Sequence, residues 1–384
     1  MKMKLKPGWQ LWRFDQMAEM INERIDDPTK AGVERYVGLE HLDPESLKIR
    51  RWGDPSDVKA TKLFFRKGDI IFGRRRAYQR KLAVADFEGI CSAHAMVLRA
   101  KPGVVLPELL PFFMQSDIFM NRAVEISVGS LSPTINWKTL AMEEFALPPI
   151  EEQHKITYNL STLENTIATF NQLNQSCYQL KKSLLNHLLS PKKTWEKTIV
   201  GEVAQVIGGG TPNTKIMEYW NGNIPWLTPT EIVKANREVI MNSERKISEE
   251  GLNNSSANLL PSGAILLTSR ASIGAVAIAG CELATNQGFQ SLIPKNKVSS
   301  EYLFYWCQYS APKMVALASG STFLEISNKT IRNMTIFLPP EEMQREIIEK
   351  LIKTDHALST FKIRLNSLLR IKELLFNKYL GGDY

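Results

Sequence analysis

The chain repeats itself once. Residues 129–156 (GSLSPTINWKTLAMEEFALPPIEEQHKI) align without a gap on residues 320–347 (GSTFLEISNKTIRNMTIFLPPEEMQREI), at an offset of 191 residues, with eleven of 28 positions identical. The identities include Gly129/Gly320, Ser130/Ser321, Lys138/Lys329, Gln153/Gln344 and the Leu-Pro-Pro at 147–149 and 338–340. Such a chain is two copies of one unit, each a globular part of about 145 residues followed by a long helix. The expected segments are a first globular domain at 1–149, a first long helix at 150–190, a second domain at 191–340 and a second helix at 341–384. Two copies on one chain make a pseudo-two-fold object. That object suits a partner with two related halves, and duplex DNA with a split site is such a partner.

Length, charge and cysteine usage fit this reading. A chain of 384 residues allows two or three domains, each with its own core. The net charge of +8 and pI near 9.1 lean toward a polyanion. Cys91, Cys177, Cys281 and Cys307 form no C-x-x-C pair, which fits reduced thiols of a cytoplasmic protein. The opening MKMKLKPGWQLWRF lacks the apolar stretch of a signal peptide. No run approaches the roughly 20 apolar residues of a membrane span, so no membrane partner is expected.

Within each unit the pattern is mixed α/β. Each opens on a short lead with a tryptophan, Trp9 or Trp195. Short apolar runs at 63–65, 69–72, 82–85, 264–267 and 275–279 read as strands, fed by turns at Lys67-Gly68-Asp69 and Pro261-Ser262-Gly263. Residues 106–119 and 300–309 each read as one helix.

After each Leu-Pro-Pro the period changes. Long helices start near Glu151 and Glu342, with carboxylates in the first turn where the helix dipole favours them. In the first, Ile156, Leu160, Leu163, Ile167, Phe170, Cys177, Leu184 and Leu188 fall on a strict 4-3 spacing, and Asn174 and Lys181 fill its polar positions. The second repeats this with Ile347, Leu351, Leu358, Phe361, Leu365, Leu368, Leu375 and Tyr379, and with Thr354 and Lys372 as polar members. A 3.5-residue period held over about five heptads predicts a coiled-coil seam, so the two helices are expected to pair with each other.

Signs of catalysis are missing from the sequence. It has no N/D-P-P-F/Y adenine-methylation motif, F-x-G-x-G loop, phosphate loop, H-E-x-x-H or G-x-S-x-G. The run Gly208-Gly209-Gly210-Thr211-Pro212 lacks the following Lys-Ser/Thr of a nucleotide site and reads as a turn ahead of an anion cradle. Asp57-Val58-Lys59 lacks an evident partner carboxylate for a metal nuclease, and the five histidines are dispersed. No metal and no cofactor are expected on this chain.

Candidate DNA-reading groups do stand out. The stretch 72–82 (FGRRRAYQRKL) places Arg74, Arg75, Arg76, Arg80 and Lys81 around Tyr78 with no acid, directly after a strand. Guanidinium forks in such a loop suit guanine edges or phosphates. The equivalent stretch 267–275 (LTSRASIGA) keeps Arg270 and adds Ser272, so the same loop carries different chemistry. A second loop pair sets Cys91-Ser92-Ala93-His94 against Ala284-Thr285-Asn286-Gln287-Gly288, where the amides either read adenine or cap a turn. Ser130, Lys138, Ser321 and Lys329 occur in both units and suit phosphate contact or turn geometry. A third comparable pair is 36–42 (YVGLEHL) and 225–232 (PWLTPTEI).

The ordered set of these features resembles a known family. It comprises a globular domain, Leu-Pro-Pro followed by Glu151/Gln153 or Glu342/Gln344, a long helix, and then all of it again. With Tyr36-Val37-Gly38-Leu39-Glu40, Gly209-Gly210-Thr211-Pro212, Ile224-Pro225-Trp226 and Gly320-Ser321, it resembles the specificity subunit of type I restriction-modification systems over essentially the whole chain. The first unit departs in having residues 22–30 where the G-G-x-T-P loop is expected. The resemblance implies two target-recognition domains, each reading half of a split asymmetric site in double-stranded DNA, and an antiparallel coiled coil that fixes the spacer. It implies two modification subunits that carry S-adenosylmethionine and methylate adenine, joined by restriction (motor-nuclease) subunits. This chain would then supply address and not chemistry. A specificity subunit of a related system that cuts on both sides of its site reads the same way, and a non-enzymatic coiled-coil scaffold is the remaining alternative.

Overall fold

The computed structural model describes residues 5–235, 239–320 and 324–381. The chain divides into two units, 1–171 with 363–384, and 172–362. Each unit therefore holds one globular part and a portion of both long helices.

In the first unit, strand Gln10–Arg13 pairs antiparallel with Glu144–Leu147, so the start of the globular part is tied to its end. Between them, Ala18–Ile21, Ala95–Ala100, Ile70–Gly73 and Leu82–Val84 form one antiparallel sheet in that order. A second sheet runs Arg24–Ile25, Lys62–Phe65, Gly89–Ser92 and Tyr36–Val37, the last pair parallel. Phe14, Phe113, Phe119 and Phe145 pack edge-to-face or tilted in the main core.

The second unit repeats the scheme. Glu196–Ile199 pairs antiparallel with Thr335–Leu338. The main sheet runs Ala204–Gly208, Gln290–Pro294, Ile265–Leu267, Val276–Ala279, with Val239–Ile240 added parallel at one edge. Arg245–Ile247, Ile224–Leu227 and Ala284–Thr285 form the smaller sheet. Tyr36–Val37 and Trp226–Leu227 each lie parallel to the strand carrying the second loop pair, so the third sequence pair matches in space. The two strand-feeding turns also match. Gly68 and Gly263 both take positive φ, +93° and +86°, where a side chain is strained.

The expected single helix at 106–119 is two helices, Leu110–Gln115 and Asp117–Glu125. Ser116 is extended (φ −63°, ψ 154°), which ends the first, and its Oγ accepts from the Phe119 N–H and starts the second. In the second unit the matching helix is continuous over Ser300–Leu317, longer than the expected 300–309, and holds Pro312 within it.

The long helices run over Ile150–Leu189 and Glu341–Leu380, 40 residues each, or about 60 Å at 1.5 Å per residue. Each follows a strand that stops at Leu-Pro-Pro, since proline has no N–H to extend a ladder. A buried glutamine then fastens helix to globular part. Gln153 Nε2 donates to the carbonyls of Pro148 and Val104 (both 2.9 Å), and its Oε1 accepts from the Leu106 N–H (2.9 Å). Gln344 Nε2 donates to the carbonyls of Pro339 (3.1 Å) and Lys297 (3.2 Å).

The 4-3 seam is observed. Every seam residue of both helices is buried or half-buried. Within the first unit Asn159 Nδ2 donates to Tyr379 Oη (3.0 Å), and Glu164 forms an ion pair with Lys372. Within the second, Lys181 forms an ion pair with Asp355. Residue numbers rise on one helix as they fall on the other, so the helices pack antiparallel. The seam lysines thus have partners that the heptad reading did not name. Lys181/Lys372 and Glu164/Asp355 are each related by the 191-residue repeat, so the same ion pair is made twice. Asp355 also accepts from Tyr305 Oη (2.9 Å). Leu185, Leu189 and Leu380 are buried outside the seam, because the helix ends also pack on the globular cores. Among the described residues, no helix is long and apolar enough to cross a membrane.

Candidate nucleic-acid interface

The basic loop of the first unit leaves strand Ile70–Gly73 and returns through Leu82–Val84. It is pinned to a hairpin from the other end of the globular part. Arg75 bridges Thr134, the Arg76 N–H donates to the Pro133 carbonyl (2.7 Å), and the Ile135 N–H donates to the Arg74 carbonyl (2.9 Å). The second unit builds the same junction. Arg270 bridges Glu325, and the Ile326 N–H donates to the Ser269 carbonyl (3.1 Å). The residues after the two bridging arginines, Arg76 and Ala271, both take left-handed backbone, φ 57° and 58°. A non-glycine residue there is strained by roughly 1–3 kcal/mol and persists only when its surroundings enforce it.

Within this frame the candidate side chains divide. Arg80 is half-buried and is bound by the Gln115 carbonyl (2.7 Å) and the carboxylates of Asp117 (2.8 Å) and Glu45 (3.6 Å). Lys81 Nζ donates to the Leu39 carbonyl (2.7 Å). Arg74 Nη2 donates to the Ala93 carbonyl (3.0 Å). Tyr78 is exposed, and Arg76 Nε donates to Ser132 Oγ (3.3 Å) at the outer surface. Arg75 Nη1 lies 3.3 Å from His94 Nε2. For Arg75 to donate, that nitrogen must carry a lone pair, so the ring is neutral. Burial, and then the charges of Arg75, Arg74 and Lys62, hold the His94 pKa below its ordinary value and favour this form. Within the first unit, the basic loop and the loop carrying His94 therefore meet at one surface.

In the second unit, Arg270 Nε contacts Glu325 (2.9 Å) and Ser272 is exposed beside it. Asn286 Oδ1 accepts from the Gly288 N–H (2.8 Å), so this amide caps a turn. Gln287 is exposed and accepts from Thr211 of the glycine loop. That loop is a packed turn. A Cβ on Gly209 would lie 2.0 Å from the Asn286 carbonyl oxygen, and one on Gly210 would lie 2.2 Å from the Ser256 carbonyl carbon. The Gly210 N–H donates to the Thr285 carbonyl (2.8 Å), so it is directed inward.

Ser130 is exposed on the hairpin, and Lys138 and Lys329 are exposed in the first turns of the short helices Trp137–Met142 and Asn328–Arg332. Ser321 lies outside the described residues. Sequence reading did not single out two cation–π arrangements near the smaller sheets. Arg35 lies against both Trp52 (4.3 Å) and Phe87 (4.4 Å), and Arg245 covers Trp220 (3.6 Å). Their members are far apart in sequence and leave no local signal. Among the described residues there is no cluster of His, Cys, Asp and Glu able to hold a metal ion.

Two copies of one mixed α/β scaffold, each presenting a strained loop braced by a hairpin, define a duplicated recognition protein. The family model for the type I restriction modification DNA specificity domain matches residues 53–177 and 192–369, and the chain belongs to that family. Its relatives include the MjaIX specificity subunit of Methanocaldococcus jannaschii, 39% identical over 189 residues, which cover 49% of this chain but only 44% of that protein. The putative MjaX specificity subunit of the same organism is 25% identical and is matched over 99% of this chain and 94% of its own length. Among solved structures, a type I restriction-modification S subunit from M. genitalium shares the fold at a TM-score of 0.63, with 16% identity over 100% of this chain and 99% of that one. A chain from a type I R-M system, solved to show complex assembly and conformational transition, also gives 0.63, at 23% identity over 99% and 100%.

Proposed function

We propose that this chain is the specificity subunit of a type I restriction-modification complex and reads a bipartite, asymmetric site in double-stranded DNA. The loop cluster of the first unit contacts one half-site through Arg75, Arg76, Tyr78 and His94, with Ser130 and Lys138 on the backbone. The second unit contacts the other half-site through Arg270, Ser272 and Gln287, with Lys329 and Ser321 in the backbone role. Arg74, Arg80, Lys81 and Asn286 position these loops. The paired helices set the spacer between half-sites. Two modification subunits supply adenine methylation with S-adenosylmethionine, and restriction subunits supply cleavage, so this cytoplasmic subunit has no catalytic role. Base extrusion for methylation takes place in the partner.

One observation carries the reading. The same strained, hairpin-braced loop occurs in both units, with three consecutive arginines in one and a single arginine in the other. A shared frame with different side chains is what two unlike half-sites require. Mapping methylated adenines in cells that carry the chain with its modification partner tests the proposal. A split motif with two unlike halves is expected. Methylation that follows no motif, or a motif without a spacer, would sink it.

A further inference from the structure

The two most exposed large apolar side chains among the described residues are Val128 at 77% and Leu131 at 90%. They lie on the hairpin that braces the basic loop. Its stem is closed by Val128 and Thr134, which exchange backbone bonds of 3.1 and 3.0 Å, and its tip reads Gly129-Ser130-Leu131-Ser132-Pro133. Gly129 turns the chain at φ +116°. A single exposed leucine needs no account. A leucine at the end of a narrow tip of small residues, fixed to a strained arginine loop, does. Arg76 holds this tip twice, through the Pro133 carbonyl and through Ser132 Oγ. No acid occurs in 72–82 or in 126–142, and the flanking Glu125 and Glu143 are paired with Arg122.

That combination has a chemical match. An apolar point framed by arginines is repelled by a basic surface, and a neutral protein groove leaves the guanidinium groups unpaired. A DNA groove offers phosphates on both sides, and a base step opened between them offers apolar base faces. We propose that Leu131 is a wedge, backed by Val128, that enters the duplex beside the first half-site and partly unstacks one base step. The arginines of the basic loop hold the flanking strands. This rests on the DNA-reading function and assigns to the subunit a local opening of the helix that eases extrusion of a nearby base by its partner. The proposal concerns the first unit only.

The test uses the complex of the full chain with its modification subunits, and duplexes carrying both half-sites. The duplexes carry 2-aminopurine at each step flanking the first half-site, apart from the methylated adenines. Wild type is expected to raise fluorescence at one step. Leu131→Ala should abolish that rise and weaken binding about tenfold, with an unchanged slope of log affinity against log salt, because no phosphate contact is lost. Arg76→Ala should instead reduce that slope by about one. Leu131→Phe should keep the fluorescence signal. If Leu131→Ala leaves affinity and fluorescence as in wild type, the wedge is disproved while the DNA reading stands. Loss of complex assembly on Leu131→Ala, seen by light scattering, identifies a protein contact and also overturns it. If wild type itself prefers no duplex, the underlying function fails, which is a separate result.

Discussion

The two units share their framework and differ in their outer loops. The glutamine after Leu-Pro-Pro, the junction of loop and hairpin, the left-handed residue after the bridging arginine and the lysine–carboxylate pair of the helices all occur twice. The loops do not. Residues 74–76 are three arginines where the second unit has Ser269-Arg270-Ala271. The framework groups close on one another, so changing one strands another. The outer loop groups face solvent and vary without that penalty. The same logic separates Arg80 and Lys81, bound within the first unit, from Arg75 and Arg76.

The largest effect is expected at the helix ion pairs. Lys181→Met should destabilise the protein by about 3 kcal/mol, because it leaves Asp355 buried without its cation. Lys181→Met combined with Asp355→Met should recover most of that in urea melts. Lys372→Met should cost less, about 1–2 kcal/mol, since Glu164 and Lys372 are more exposed than Asp355 and Lys181. Equal losses in the two units would break the distinction.

The glutamine clasps come next. Gln153→Leu should cost about 1–3 kcal/mol by leaving the Val104 and Pro148 carbonyls without their donor. Gln344→Leu should cost somewhat less, having two such bonds where Gln153 has three. Thermal melts decide the order.

The reading loops should act on specificity and leave stability alone. Arg75→Ala should relax the preference at one position of one half-site by about 1–3 kcal/mol if the fork is bidentate to guanine, and Arg270→Ala should act only on the other half-site. Methylome sequencing of each variant separates the two. A change that spreads over both half-sites would contradict the assignment of one unit to each.

The smallest effects probe the strained loops. Ala271→Gly should stabilise the protein by up to about 1 kcal/mol by relieving φ 58°. Arg76→Gly should give a similar gain in stability yet weaken DNA binding, so that stability and binding move in opposite directions in the first unit.

Repetition in the sequence determined a good deal by itself. Gly129–Ser130 and Gly320–Ser321, the Leu-Pro-Pro segments and the 4-3 spacing from Ile156 to Leu188 and from Ile347 to Tyr379 established two α/β units and a paired-helix seam. These are periodic or duplicated signals, and local geometry follows from them directly. The break at Ser116, in the short polar step Gln115-Ser116-Asp117, is a weak signal in the sequence until the serine side chain is seen to cap a helix. Tertiary structure alone decided which charges face outward. Arg75 and Arg80 are the same residue in one basic run, yet Arg80 meets Asp117, Glu45 and the Gln115 carbonyl, while Arg75 meets His94 at the surface. The partners of Lys181 and Lys372 were equally hidden, since Asp355 and Glu164 become neighbours only when the helices align antiparallel. Local sequence carries the periods that build helices and strands. Pairing between distant residues depends on the packed register, and there the candidate site took its final form.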